Sequence, residues 1–285
     1  MSIATVRPGR VPHPLSRDVS SVPAYASVLG PVPGRMHDFV LGGHDHLPAD
    51  RTTVRHLMNV APWYERSVQI AHTHTLRTAA LLTNEMGIGQ FLDLGSGPRS
   101  GRTDSYPCIC SVLQDAVVVH VDTPDAGWAR TCAADGHHRV VRADITQPLA
   151  LLRNLVIQGA IDLRRPVGVL TGGVLSRIPD DADALHLMTR LRAWMPPGSA
   201  IALTHTTDDF TPASQAAAVA VCLADAGLPH RPRTRDGIAR LLASWPLREP
   251  GLLPTGAYFT GTGRTPSPDH FSAAYAAIAL NPESS

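Results

Sequence analysis

The chemistry-bearing residues of this chain gather first in the stretch Gln90-Phe91-Leu92-Asp93-Leu94-Gly95-Ser96-Gly97-Pro98. Phe91, Leu92 and Leu94 suit a short buried strand. Asp93 is the only charge, and it sits just before the turn. Gly95 and Gly97 remove side chains where the backbone must bend tightly and let a ligand come close. In an open α/β sheet ligands bind at the carboxyl ends of the strands. An acid-x-Gly-x-Gly turn there reads as a nucleotide-type cofactor site, with Asp93, Gly95, Ser96 and Gly97 in contact.

Two cofactor classes compete for this turn. The dinucleotide fingerprint places a third glycine where this chain has Ser100, with Gly101 one residue late. A pyrophosphate also prefers a helix N-terminus free of nearby anions, and Asp93 would oppose it. A ligand with a cationic amino group would instead be favoured by that carboxylate, and S-adenosylmethionine (SAM) is such a ligand. A structural strand-to-helix turn remains the plain alternative.

Two further carboxylates fall at strand ends. The run Ala116 to Val121 reads as a strand closed by Asp122-Thr123. An acid at that distance from the glycine turn is where an α/β nucleotide site meets ribose hydroxyls. Arg139 to Arg142 reads as a third strand, followed by Ala143-Asp144-Ile145, where a carboxylate beside a backbone amide can meet the adenine edge. Val167 to Thr171 is apolar on both faces and runs into Gly172-Gly173, so Thr171 and Gly172 complete the expected cofactor set.

Base chemistry near neutral pH suits histidine. His37, His44, His46 and His205 are the candidates by position, and Asp38 with His44 the candidate acceptor contacts. His44-Asp45-His46 could bring two histidines to one ion, but a third ligand would have to come from elsewhere, so no metal is expected. The run Arg231-Pro232-Arg233-Thr234-Arg235 is short and lacks interleaved aromatics, which argues against nucleic acid. A net charge of +1 gives no general attraction to nucleic acid or anionic membrane. Cys108, Cys110, Cys132 and Cys222 have neither redox-pair nor zinc spacing, which fits free thiols in a reducing compartment. There is no apolar run of membrane-spanning length and no signal-peptide core. A cytoplasmic protein with a small-molecule substrate is expected, its oligomeric state open.

These residues need a scaffold. Residues 1–32, rich in Pro, Ser and Val, read as a flexible tail. Residues 33–86 read as a helical cap: Arg35 to Leu41 closed by Gly42-Gly43, then a helix opened by Pro48 through Met58, then one from Pro62 to about Met86. The last has a weak apolar face between Ala71 and Ala80. Residues 87–285 alternate strands and helices, as a parallel doubly wound sheet does. A short helix is expected within Arg99 to Leu113, and helices at Pro148 to Gln158, after Pro179-Asp180-Asp181, at Pro212 to Ala226 and at Asp236 to Trp245. Strands are expected at Ala200 to Leu203, Leu247 to Leu253 and Phe271 to Leu280.

The order of motifs resembles SAM-dependent methyltransferases, and more narrowly the actinobacterial S-adenosyl methyltransferase family, formerly a domain of unknown function. That family opens with Arg-Val-Tyr-Asp-Tyr-Leu-Leu-Gly-Gly-Lys-Asp-Asn-Phe; here Arg35 to Leu47 reads Arg-Met-His-Asp-Phe-Val-Leu-Gly-Gly-His-Asp-His-Leu. Gly87 to Gly97 matches its glycine block, Ala143-Asp144 its Ala-Asp-Leu, Thr204-His205-Thr206-Thr207 its Ser-His-Ala-Thr, and Glu249-Pro250-Gly251-Leu252 its Glu-Pro-Gly-Leu. The resemblance covers roughly Pro31 to Leu280. It implies a Rossmann-like, seven-stranded, mostly parallel sheet with its last strand antiparallel, and an N-terminal helical cap. It also implies SAM over Gly95 to Gly97, Asp122 at the ribose, Asp144 at the adenine and Asp93 at the methionine end. Departures occur at Asp122-Thr123-Pro124-Asp125, where the proline is shifted by one, and at Leu175-Ser176, where the family has Leu-His.

The reading that follows is a SAM-dependent methyltransferase acting on a small molecule. Its rivals are a SAM-binding or SAM-sensing protein without transfer activity, and a nicotinamide-dependent oxidoreductase on a similar sheet.

Overall fold

The structure is a computed structural model, and it describes residues 30–95, 109, 115–122, 138–157, 159–259 and 265–282. Three helices come first: α1 (Pro33–Val40), α2 (Pro48–Val60) and α3 (Tyr64–Met86). Proline opens α1 and α2 at the first turn, where its missing N–H costs nothing. α3 stops at Gly87, whose φ of 64° is left-handed. There the N–H groups of Gly87 and Ile88 close back on Thr83 and Leu82.

The alternating region builds β1 (Gln90–Leu94), β2 (Val117–Asp122), β3 (His138–Arg142), α4 (Pro148–Ile157), β4 (Gly168–Leu170), α5 (Asp181–Trp194), β5 (Ala200–Thr206), α6 (Ala213–Asp225), α7 (Arg235–Leu241), β6 (Leu253–Pro254), α8 (Asp269–Ser272) and β7 (Ala274–Leu280). A 3-10 turn, Val174–Arg177, separates β4 from α5. The sheet is seven-stranded in the order β3-β2-β1-β4-β5-β7-β6. β1 to β5 pair in parallel, and β7 is antiparallel to both β5 and β6. β1 lies near the middle and is buried along its whole length, with Phe91, Leu92 and Leu94 feeding the two apolar clusters. Strand order reverses beside it, where a ligand crevice opens.

One apolar cluster fills a face of the sheet through Leu92, Val119, Val169, Leu187 and Ile201; a second fills the other face through Phe91, Val118, Leu82 and Ile278. The cap has a core of its own, Met36, Val54, Leu57 and Ala61, shared with Val219 of α6. Trp63 Nε1 donates to Gln215 Oε1 at 2.8 Å, so the cap is held to α6 by a polar contact as well. Within the cap Arg35 of α1 and Asp50 of α2 form a buried ion pair, Nε to Oδ2 2.7 Å. Asp50 also accepts from the N–H groups of Val32 and Leu47 at 2.8 and 2.7 Å.

Two expected strands change form. Between Leu247 and Leu253 only Leu253–Pro254 pairs as a strand, with a lone bridge from Leu247 to Ala279. Pro250 has no N–H to give a ladder, and Gly251 turns back to Arg248 at φ 85°. The last strand begins at Ala274, three residues after the expected start, because Pro268 and Asp269 open the short helix α8. The helix expected within Arg99 to Leu113 lies outside the described residues apart from Ile109.

Candidate functional site

A cavity of about 200 Å³ lies between the cap and the carboxyl ends of β1, β4 and β5. Its sheet side carries Asp93, Gly95, Gly172 and Thr204 to Asp208; its cap side carries Pro33, Met36, His37, Trp63, Tyr64, His72 and Thr75. α6 and the loop after it add Val219, Leu223 and His230. The weak apolar face of α3 has its explanation here. Ala71, His72 and Thr75 look into the cavity rather than into a core.

Asp93 is held at the wall by the sheet. In the parallel β1–β2 register it stands opposite His120, and Oδ2 lies 3.2 Å from His120 Nδ1. His120 is fully buried. The sequence reading missed it; the signal was a polar residue inside the valine run of β2. Gly95 turns at φ 69°, and its N–H donates to the carbonyl of Val121. The close approach that requires a glycine here is made by protein: a Cβ on Gly95 would lie 2.7 Å from Val174 Cγ2. At Gly172 and Gly173 a Cβ would meet nothing within 4 Å, so the turn after β4 leaves open space over the sheet.

Among the histidine candidates, His37 and His205 line the cavity and His44 does not. Burial, with Arg177 and His72 adding to it, pushes His37 down to about 3, so its imidazole is neutral. His205 is fully buried and lowered to about 4, chiefly by burial. Its Nε2 lies 3.0 Å from Arg233 Nη1 and its Nδ1 lies 2.8 Å from the Thr206 carbonyl. Burial also pushes His230 down and the neighbouring Asp208 up. Tyr64 is held up to about 12, again by burial, and stays protonated.

Asp38 and His44, the expected acceptor contacts, lie away from the cavity. Asp38 is buried and accepts from the Asp45 N–H at 2.8 Å, shaping the loop after α1. His44 is exposed. His46 packs its ring edge on Phe39 and meets Arg51 at 3.1 Å. Among the described residues no three His, Cys, Asp or Glu side chains are grouped as metal ligands.

Asp122, Ala143, Asp144 and Ile145, expected at the cofactor, occupy the β2–β3 side, beyond the cavity walls. Asp122 ends β2, and the carbonyl of Asp122 accepts from the Ala143 N–H at 3.0 Å. Asp144 is exposed and accepts from the Thr146 N–H and hydroxyl at 2.8 and 2.7 Å. Ile145 is buried in the core cluster. Thr171 is buried, and its N–H donates to the Ala202 carbonyl at 3.1 Å. Ser96, Gly97 and Thr123 lie outside the described residues. Sequence reasoning also missed Tyr64, His72, Asp208, Arg177 and His230, which reach the cavity from four separate segments of chain.

Parallel strands in this order, an antiparallel seventh strand, a strand-end acid and a glycine turn define a class I SAM-dependent methyltransferase fold. The S-adenosyl methyltransferase family matches residues 26–282, and the chain belongs to that family. It is a SAM-dependent methyltransferase, with SAM as its cofactor. A DUF574 family protein from Streptomyces avermitilis superposes with a TM-score of 0.79 at 26% identity, covering 89% of this chain and 98% of that one. A candidate methyltransferase from Thermobifida fusca superposes with a TM-score of 0.81 at 26% identity, covering 92% and 100%. No curated protein matches the sequence. No helix among the described residues is long and apolar enough to cross a membrane.

The described residues fit the cofactor. A carboxylate stands at the cavity wall where a methionine amino group would carry positive charge, and the open space over Gly172 and Gly173 admits a ligand against backbone.

Proposed function

We propose that the cavity under the cap joins the methionine end of SAM to a small-molecule acceptor, in a cytoplasmic enzyme. Asp93 at the cavity wall carries this reading. Its carboxylate holds the cofactor's amino group, while the turn from Gly95 through Ser96 to Gly97 and the backbone at Thr171-Gly172 cradle the methionine chain. Asp122 with Thr123 takes the ribose hydroxyls. Ala143, Asp144 and Ile145 border the adenine. The cytoplasmic assignment rests on cysteine spacing that suits free thiols.

When bound, SAM supplies a methyl group on a sulfonium whose leaving group is already activated. The protein then has mainly to position the acceptor and exclude water. Trp63, Leu76, Val219 and Leu223 form the apolar part of the wall that does so. His37 faces this space as a neutral imidazole. Held that far below neutrality it is a poor proton acceptor at pH 7, and its role is to orient the acceptor by hydrogen bonding.

Calorimetry tests the reading. SAM and S-adenosylhomocysteine should both bind the wild type. Asp93→Asn and Asp122→Ala should each weaken them about ten- to a hundredfold, the loss of a hydrogen bond to a charged group. Tight NAD binding with no response to SAM or S-adenosylhomocysteine would overturn it.

A further inference from the structure

The turn between β4 and α5 meets one arginine that is saturated and carries another that is not. Arg233 packs onto this turn and donates to the carbonyls of Leu175 and Ile178 at 3.1 and 3.0 Å. It also lies 2.9 Å from Asp181 and 3.0 Å from His205. Arg177, the last residue of the turn, lies on the cavity wall. Among the described residues no acceptor takes a hydrogen bond from its guanidinium, and no carboxylate stands within ion-pairing distance of it.

The position of Arg177 is fixed by its backbone. Val174, Ser176 and Ile178 donate back to Thr171, Gly173 and Leu175 at 2.6, 3.2 and 3.2 Å, which pins the turn. Nη1 reaches to 4.0 Å from where a Cβ on Gly95 would stand, so the guanidinium lies close to Gly95 on a cavity wall that also carries Asp93. Burial lowers its basicity, and Asp122 and Tyr64 support its charge only from a distance. The histidines around it do not compete for an anion, because His37, His205 and His230 are all held toward the neutral form by burial. Arg177 is the one arginine or lysine among the described residues that line the cavity.

A guanidinium remains charged in a protein and presents a planar fork of N–H donors matched to a carboxylate. Half-buried on the cavity wall, the Arg177 fork is open to a bidentate anion entering the cavity. We propose that Arg177 is the carboxylate-binding residue of this cavity. The carboxylate comes either from the methionine part of SAM or from an apolar acid bound as acceptor against Trp63, Leu76 and Val219. The inference rests on the placement of SAM proposed above and names the ligand chemistry of that same site.

Two pairs of probes distinguish the sources. SAM is compared with decarboxylated SAM by calorimetry, and benzoate with benzamide, the second pair both with and without S-adenosylhomocysteine. The wild type should favour the carboxylate member of at least one pair by tenfold or more, and Arg177→Gln should abolish that preference while leaving the melting temperature near the wild-type value. A preference within the SAM pair assigns Arg177 to the cofactor; one within the benzoate pair assigns it to the acceptor. Arg177→Lys should keep part of the preference, since it retains charge but not the fork. Absence of any carboxylate preference in the wild type, or its persistence in Arg177→Gln, overturns the proposal. Because the benzoate pair is also measured without cofactor, a protein that ignores SAM and S-adenosylhomocysteine would refute the SAM placement while the role of Arg177 is still decided by benzoate against benzamide.

Discussion

Nη1 of Arg233 lies 3.0 Å from Nε2 of His205, across a gap of 28 residues in the chain. Arginine can only donate, so Nε2 is an acceptor and the proton of the neutral imidazole sits on Nδ1, which donates to Thr206. Both ring nitrogens are spent. His205 is thereby a positioning residue that ties the end of β5 to the turn after β4. His205→Ala should cost about 1–3 kcal/mol by taking a partner from the Arg233 guanidinium and from the Thr206 carbonyl, and His205→Gln, whose carbonyl can still accept from Arg233, should recover part of it. Urea denaturation of the two variants checks this.

Burial keeps His37 and His74 near 3 and His205 near 4, against about 6.5 when unfolded. Above the unfolded value both states are neutral and the stability is fully present. As pH falls below about 6.5 the unfolded chain takes up protons that the folded chain refuses, so stability declines until the folded values are reached. At pH 5 His74 and His205, both buried by the fold itself, each account for a loss of about 2 kcal/mol. His74 is the cleanest test. It packs between Tyr258 and Phe259, and its Nε2 approaches the Thr78 hydroxyl only to 3.5 Å. His74→Phe should flatten the pH dependence, measured as urea midpoints at pH 7.5 and 5.0.

Gly95 and Gly173 both have positive φ, 69° and 79°, but only Gly95 is crowded, by Val174. Gly173→Ala should cost the backbone strain alone, about 1–2 kcal/mol. Gly95→Ala should cost that plus an overpacking cost of about 1–3 kcal/mol. Gly95→Val should lower both stability and SAM binding. Thermal denaturation of the three variants beside SAM titration separates the contributions.

Asp50 carries three partners at the base of the cap: Arg35 and the N–H groups of Val32 and Leu47. Asp50→Ala leaves a buried guanidinium unpaired, a loss of about 3–5 kcal/mol. Because the cap has its own apolar cluster, the loss should appear first there. Limited trypsin digestion should cut within residues 35–55 faster than in the wild type, and SAM affinity should fall because α1 forms part of the cavity wall.

The parallel strands were legible because their signal is local. Runs such as Val117 to Val121 and Val167 to Leu170 are too apolar to lie anywhere but in a buried sheet. Helix limits followed from prolines, from Gly87 and from Asp180, whose side chain accepts from the Ala182 and Asp183 N–H groups. The region from Leu247 to Leu253 misled because apolar composition outweighed the hydrogen bond that Pro250 cannot make. In the candidate site the sequence pointed to Asp93, Gly95, Gly172, His37 and His205, all of which border the cavity, and to Asp38, His44, Asp122, Ala143, Asp144, Ile145 and Thr171, which do not.

The amino-acid sequence alone determined the order of elements, the acid at the end of β1 and the glycine turn behind it, because each depends on neighbours a few residues away. Tertiary structure decided which polar groups are free to act. Arg177 and Arg233 are indistinguishable as residue types. One is saturated by carbonyls and side chains brought from Leu175, Ile178, Asp181 and His205, and the other is turned toward a cavity that α1, α3 and the sheet enclose only when packed. The same holds for the histidines, whose charge is set by burial from distant segments. Desolvation and hydrogen-bond partners are properties of the packed molecule, and no local pattern encodes them.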